Sequence, residues 1–321
     1  MRAIEVQEFG GPEVLVAREL PDPVAGPGQV VVGLAAADII YLDTLLRGGW
    51  GGEYFPISPP YVPGGGGAGT VLATGDGVDP AWLGRRVLAR GDGGYAGRMV
   101  ADADQLVPVP DGVGWADAAA LLHDGATALH LLRLGPVAAG DTVLVAAAAG
   151  GAGTLLVQLA RAAGARVVAA ARGERKLALA RELGAELAED YSEDGWQHRV
   201  RAATGGDGVD LVFDGAGGPL GVAAFETVAR GGRFVTYGTA GGGFTEVDPE
   251  VVAARRIEVT NALEESLDRP ATRALLTEAL TLTASGRLRP VIGATYPLDR
   301  AADAHTALEA RAIAGKSLLL V

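Results

Sequence analysis

Hydrophobic positions in the first third of the chain come in short runs that alternate with polar ones. "RAIEV" (Arg2–Val6), "VLVAREL", "QVVVGLAA", "GTVLATG", "RRVLAR" and "YAGRMV" are rich in Val and Leu. Gly, Pro and Asp turns such as "PDPVAGPGQ" and "GDGVDP" separate them. Runs of this length and spacing predict strands of a small all-β barrel or sandwich up to about Val113. From Trp115 the pattern changes. "WADAAALLHDGATALHLLRL" has helical periodicity with a break near Gly125. Uniformly apolar runs then alternate with amphipathic ones: strand "TVLVAAA", helix "GTLLVQLARAAG", strand "ARVVAAA", helix "ERKLALARELG", strand "AELAED", helix "GWQHRVRAATG". "GVDLVFDGA" and "GGRFVTYGT" are two further strands around a helix over residues 224–230, and "RRIEVTNA" is a sixth. Strands without polar alternation, interleaved with helices, predict a parallel sheet covered on both faces. With right-handed crossovers this is a doubly wound sheet. "ATRALLTEALTLTASG" closes it as a helix. The final "KSLLLV" has no helix after it and is expected to return to the first domain.

Composition narrows the class. The 321 residues, 49% of them hydrophobic, suffice for two packed domains, and the net charge of −12 disfavours nucleic acid and anionic membranes as partners. There is no cysteine, hence no disulfide and no thiolate metal site. No apolar run reaches the roughly 18 residues of a membrane span, and "MRAIEVQEFG" lacks the shape of a signal peptide. A soluble, cytoplasmic protein is expected.

Two glycine-rich stretches compete as phosphate loops. "VPGGGGAGTV" (Val62–Val71) sits in the β region and opens no helix. "VLVAAAAGGAGTLLVQLARAAG" follows a strand and opens a helix, with Ala148, Gly150 and Gly153 at the three spaced positions of a dinucleotide-binding turn. Gly150 lets backbone approach a pyrophosphate and Gly153 lets the helix pack on the strand. The helix N-terminus, with Gly151 and Ala152, offers free N–H groups and partial positive charge to the anion. An NAD site would place an acid at the end of the second strand; here stand Ala170, Ala171 and Arg172. Arg172 and Lys176 suit a 2′-phosphate, so NADPH is the expected cofactor. "FDGAGG" and "YGTAGG", after the fourth and fifth strands, put Gly215, Ala216, Tyr237, Gly238 and Thr239 where ribose and nicotinamide would lie.

The ordered series "GGPEVL", "PGQVVV", "DTLLRGG", "VPGGGGAGTV", "GDTVLVAAAAGGAGTLLVQLA", "ARELGAE", "VDLVFDGAGG", "GGRFVTYG" and "GKSLLLV" resembles the medium-chain dehydrogenase/reductases, in particular their zinc-free quinone oxidoreductases of the zeta-crystallin type. The resemblance implies an α/β chain with a GroES-like β-barrel domain over residues 1–114 and 289–321 and a Rossmann NADPH-binding domain over residues 115–288. It also implies homodimers joined edge to edge through "RRIEVTNA". It places Tyr191 near the adenosine phosphate, Thr127 near the nicotinamide and Lys316 near the cofactor cleft. Zinc-dependent members carry a cysteine where this chain has "AAADIIYLDT", and Gly-His-Glu where it has Gly64, Gly65 and Gly66. His123, His130, His198 and His305 show no metal-ligand spacing with acids. No metal is expected.

Quinone reductases of this type often carry an asparagine before the "DT" turn; here the run is "DIIYLDT". Enoyl-thioester reductases place a tyrosine acid after the following helix, where this chain has Trp50, which is no proton donor. Without a Lewis acid, hydride transfer suits an acceptor that conjugates its own electrons, a quinone or enone, and the protein must orient it and stabilise an oxyanion. Tyr41, then Tyr54, are the candidates for polarising the acceptor. Asp43 and Arg47 would order the cleft wall and Trp50 would offer flat apolar surface. The expected activity is NADPH-dependent reduction of a quinone or other conjugated carbonyl. An enoyl reductase and a non-catalytic NADPH-binding protein are the alternatives.

Overall fold

A computed structural model describes residues 1–52, 55–265 and 267–321. It divides into two compact units, residues 1–126 with 268–321, and residues 127–267. Strands β1 (Arg2–Val6) and β2 (Leu15–Glu19) pair antiparallel, β1 burying Ala3, Ile4 and Val6. The long β3 (Gln29–Ile39) follows and leads into helix α1 (Tyr41–Arg47). Next come β4 (Gly66–Thr74), β5 (Arg86–Arg90), β6 (Arg98–Asp102) and β7 (Val107–Pro108). The helical run after Trp115 is two helices, α2 (Trp115–Leu121) and α3 (Asp124–Leu134). The break therefore falls at Leu122 and His123, not at Gly125.

The second unit carries β8 (Thr142–Ala146), α4 (Gly151–Ala162), β9 (Arg166–Ala171), α5 (Glu174–Leu183), β10 (Leu187–Asp190), α6 (Trp196–Ala203) and β11 (Val209–Asp214). Then follow α7 (Gly218–Glu226), β12 (Val228–Thr236), α8 (Pro249–Arg255) and β13 (Glu258–Asn261). Among the described residues these strands form one six-stranded parallel sheet in the order β10-β9-β8-β11-β12-β13. The order reverses between β8 and β11, and ligands of such sheets lie outside the carboxyl ends there. The absence of polar alternation is explained by burial: Val143 to Ala146 and Val167 to Ala171 are all at or below 1% exposure. The helix expected over residues 224–230 instead spans α7, and residues 228–230 are already strand. Gly217 and Gly218 start it earlier because Pro219 at its first turn presets the helical φ.

The chain then returns to the first unit with α9 (Arg269–Ala284), β14 (Ile292–Pro297), α10 (Ala301–Glu309) and β15 (Lys316–Leu320). "KSLLLV" does what its lack of a following helix implied: β15 pairs antiparallel with β3, Leu318 opposite Asp38, and parallel with β14. The first unit's larger sheet runs β14-β15-β3-β4-β5-β7, with β6 also on β3. The units meet along the chain at residues 126/127 and 267/268, whereas the expected boundaries were 114/115 and 288/289. The cause is packing, since α2 lies against β3, β4 and β15, and α9 lies against α2 and β7.

Candidate active site

In the second unit, the turn after β8 is shaped by close packing. Ala147 takes a left-handed φ of 59°, and a Cβ on Gly153 would stand 2.3 Å from the Ala147 carbonyl oxygen, which ties the start of α4 to the end of β8. Gly150 is different. It is exposed, its φ is −80°, and a Cβ there would meet nothing nearer than 3.3 Å. Protein packing constrains that glycine far less than Gly153, and an approaching ligand would constrain it further. No side chain caps α4 and no acid lies in its first turn, so the N–H groups of Gly151, Ala152 and Gly153 stay available to an anion. Ala148 is wholly buried and donates its N–H to the Ala170 carbonyl, a supporting position rather than a contacting one.

The ends of β9 and β10 are tied by Asp190, whose carboxylate accepts from Gly173 N (2.8 Å) and from Ser192 N (2.8 Å) and its hydroxyl (2.5 Å). Burial acts to raise its pKa, but these bonds and the Arg172 charge outweigh it and hold it below the usual carboxylate range. Arg172 is exposed at the tip of β9, Lys176 is half-buried in the first turn of α5, and the Tyr191 ring packs edge-on to Trp196. The three cofactor candidates are thus gathered at neighbouring strand ends. Asp214 does the same for the other two loops. Its buried carboxylate accepts from Ala216 N and Gly217 N (both 3.0 Å) and from the Thr236 and Thr245 hydroxyls, while its main-chain oxygen accepts from Tyr237 N and Gly238 N. Tyr237 packs over Gly215, and Gly238 packs on the Gly215 backbone. Ala216 is fully buried, and Thr239, next to Gly238 on the second loop, is half-buried. The pattern singled out the glycines but missed Asp214. An acid closing the buried apolar run from Leu211 to Phe213 was the available signal. Thr127 lies half-buried on α3.

In the first unit, a cavity of about 510 Å³ is lined by residues of α1 and its entry (Ile40, Leu42, Asp43, Leu46), by Phe55 to Ser58, by Tyr61 to Gly65, by Arg90 to Gly93, and by His123. Apolar walls with a few convergent polar groups are the usual make-up of a small-molecule site. Asp43 lines this cavity; Tyr41, the candidate for polarising the acceptor, and Arg47 and Trp50, the candidates for the cleft wall and its apolar surface, do not. Tyr41 sits half-buried at the first position of α1 and Trp50 is 46% exposed. Arg47 is turned into the interior by helical periodicity, four residues after Asp43. There it donates to Gly10 O (3.0 Å) and His305 Nδ1 (3.2 Å) and pairs with Glu309. Tyr54 lies outside the described residues.

Two buried networks back the cavity. In the first, Arg47 can only donate, so His305 Nδ1 accepts, and its Nε2–H donates to Tyr95 Oη (3.0 Å), which donates to Asp43 Oδ2 (3.0 Å). Burial, then Arg47, pushes His305 down to about 3, and burial pushes Asp43 up to about 6 against a bond from Ile40 N–H. In the second, Asp38 on β3 receives His123 Nδ1 at 2.6 Å and Lys316 Nζ at 2.5 Å, and Lys316 also holds Asp124 at 2.9 Å. Burial of Asp38 is outweighed by Lys316 and His123, which keep it below its ordinary range. Burial of Lys316 is likewise outweighed by Asp124 and Asp38, which raise its pKa. Lys316 was expected near the cofactor cleft; its side chain is 6% exposed and its ammonium pairs with these two carboxylates. A side chain at Gly65 would stand 2.7–2.8 Å from Cε1 and Nε2 of His123. The imidazole therefore fills the place where zinc-dependent members carry their Gly-His-Glu side chains. Among the described residues no group of three or more His, Cys, Asp and Glu is placed to hold a metal. The residues present do not fit a catalytic zinc, and no step below runs through one.

A barrel-like unit interrupted by a six-stranded nucleotide-binding sheet, with glycines at the first βα turn, defines the medium-chain dehydrogenase/reductase class. The alcohol dehydrogenase GroES-like domain model matches residues 26–111 and the zinc-binding dehydrogenase model matches residues 151–280. A quinone oxidoreductase of Pseudomonas aeruginosa is 34% identical over 99% of both chains. Among solved structures, Escherichia coli quinone oxidoreductase complexed with NADPH superposes with a TM-score of 0.92 at 30% identity. A mycobacterial protein complexed with NADPH does so with 0.91 at 35%. Each match covers all of both chains. Within that class the chain belongs to the zinc-free quinone oxidoreductase family.

Proposed function

We propose that this protein is an NADPH-dependent quinone oxidoreductase, its residues 127–267 holding the cofactor and its first unit the acceptor. The observation that carries the cofactor is the uncapped start of α4 behind the exposed Gly150. The match along the full length of quinone oxidoreductases carries the reaction. When bound, NADPH supplies a hydride to the acceptor. The protein's share is to seat the pyrophosphate on the α4 N–H groups, to set Arg172 and Lys176 toward a 2′-phosphate, and to hold a planar acceptor among Ile40, Leu46, Phe55 and Val62. Asp214 fixes the two loops that would flank ribose and nicotinamide.

The edge position of β13, with Val259 38% exposed, supports a homodimer formed through that strand. Light scattering on the purified protein tests it. No helix among the described residues is long and apolar enough to cross a membrane, and a cytoplasmic enzyme is the matching proposal. The function is tested by following NADPH oxidation against benzoquinones, naphthoquinones, enones and crotonyl thioesters. Turnover confined to quinones and enones is expected. Turnover of thioesters alone, or of no acceptor, overturns the reading.

A further inference from the structure

We propose that His123 is the proton donor to the acceptor's oxygen, oriented for that task by Asp38. The inference rests on the quinone reductase reading and adds to it the group that completes the reduction. Three features converge on the imidazole. First, its Nδ1 lies 2.6 Å from a carboxylate that can only accept, so Nδ1 carries a hydrogen and the ring orientation is fixed. Second, its Nε2 has no protein partner among the described residues, and the ring, 19% exposed, lines the cavity over Gly65. Third, the Asp38 carboxylate behind it is itself clamped by Lys316, which is clamped by Asp124. Two carboxylates thus face one ammonium, and the Asp38 carboxylate is held in place behind the ring. A ring held by a carboxylate, with its unpartnered nitrogen on the side of a cavity large enough for a small molecule, is the arrangement proton transfer needs.

The step balances as follows. The acceptor gains two electrons and one hydrogen as the hydride and becomes a hydroquinone monoanion. The Nε2–H bond of His123 breaks with its electrons remaining on nitrogen, and an O–H bond forms on the anion. His123 is left neutral, still donating Nδ1–H to Asp38, and water entering the cavity returns the proton. The charged groups that face the ring are Asp38 from β3, Asp43 from α1, Asp124 from α3 and Lys316 from β15, with Arg90 and Asp92 on the cavity wall.

Steady-state reduction of 1,4-naphthoquinone by NADPH, measured across pH in H₂O and D₂O, tests the proposal with wild type, His123→Gln and His123→Ala. Circular dichroism and thermal melts report that the first unit of each variant is folded, and NADPH binding by fluorescence reports the second. The expected result is a kcat at least about 100-fold lower in His123→Gln, loss of the alkaline fall in the wild-type pH profile, and a saturable recovery of His123→Ala by added imidazole. Unchanged kcat, isotope effect and profile in His123→Gln, with wild type active, overturn the proposal alone. A wild type that turns over no quinone overturns both it and the function it rests on. Asp38→Asn separates positioning from plain structure: a lowered kcat with the circular dichroism spectrum and melt of wild type retained is expected, and an unchanged kcat overturns the role given to Asp38.

Discussion

At the scale of single residues, the most informative pair is Asp43 and His305, joined through the Tyr95 hydroxyl. Both are titratable, both are buried, and burial shifts them in opposite directions. Asp43 is raised to about 6, so its contribution to stability is full below the unfolded value of about 4 and is lost as pH rises through 6. His305 is lowered to about 3, so its contribution is full above the unfolded value of about 6.5 and is lost as pH falls toward 3. Near pH 5 the folded pair holds one proton, on Asp43, and the unfolded pair also holds one, on His305. The two slopes cancel there. His305→Gln removes one side of the balance, and the stability of that variant, relative to wild type, should fall by up to about 1.4 kcal/mol per pH unit between pH 4 and 6. Asp43→Asn should show the opposite slope. Urea unfolding at several pH values checks both, and parallel curves for wild type and variants would contradict the protonation states assigned here. None of this pairing was legible in the chain, because Asp43, Tyr95 and His305 lie on three elements and only the tertiary fold brings them together. The same holds for Asp38, His123 and Lys316. His123 was visible only as a histidine without metal-ligand spacing, and nothing local announces that a break between two helices turns it toward Gly65, just before β4.

At the scale of elements, the strand–turn–helix at β8 and α4 was readable from pattern alone, because it is a local unit with its own glycine spacing. The structure separates two glycines that the pattern treats alike. Gly153 is demanded by packing: its Cβ would meet the Ala147 carbonyl oxygen and the Ala148 backbone, which no rotamer change relieves. Gly153→Ala should therefore cost about 1–3 kcal/mol of stability, as α4 is levered off β8. Gly150→Ala has an ordinary φ and meets only the Ala147 carbonyl oxygen, at 3.3 Å, a far milder approach than at Gly153, so its stability should stay within about 1 kcal/mol of wild type. Yet its methyl would stand where the backbone has to admit a pyrophosphate, and NADPH affinity should drop at least tenfold. Thermal melts and fluorescence titrations of the two variants distinguish packing from ligand approach. Equal stability losses would mean that Gly150 is also held by packing. The end of β9 gives a companion test. Arg172→Glu should raise the NADPH KM far more than the NADH KM, since only NADPH carries the 2′-phosphate that a carboxylate repels. Equal changes in both constants would remove Arg172 from cofactor choice.

At the scale of the whole molecule, the chain order has a consequence for folding. Residues 127–267 are one continuous segment containing every strand of the six-stranded sheet, with each crossover closed locally. The first unit is split. Its central β3 is flanked on one side by β15, with Ser317 paired to Ile39 and Leu318 to Asp38 across most of the chain's length. Closing so long a loop is entropically costly in an unfolded chain, but the cost falls sharply once the intervening segment has folded and brought residues 126 and 268 within reach. The buried charges sharpen the dependence. Lys316 arrives only with β15, and without it Asp38 would be a carboxylate buried against β3 with one partner fewer. A fragment of residues 127–267 should thus fold cooperatively by itself and bind NADPH. A fragment of residues 1–126 should stay unfolded, and adding residues 268–321 in trans should rescue it at least in part. Circular dichroism and calorimetric melts of the fragments check this. A folded 1–126 fragment would show that β15 and its lysine are dispensable to the first unit. That outcome would also weaken the account of Asp38 as a carboxylate held charged by its neighbours, since the carboxylate would then tolerate burial without Lys316.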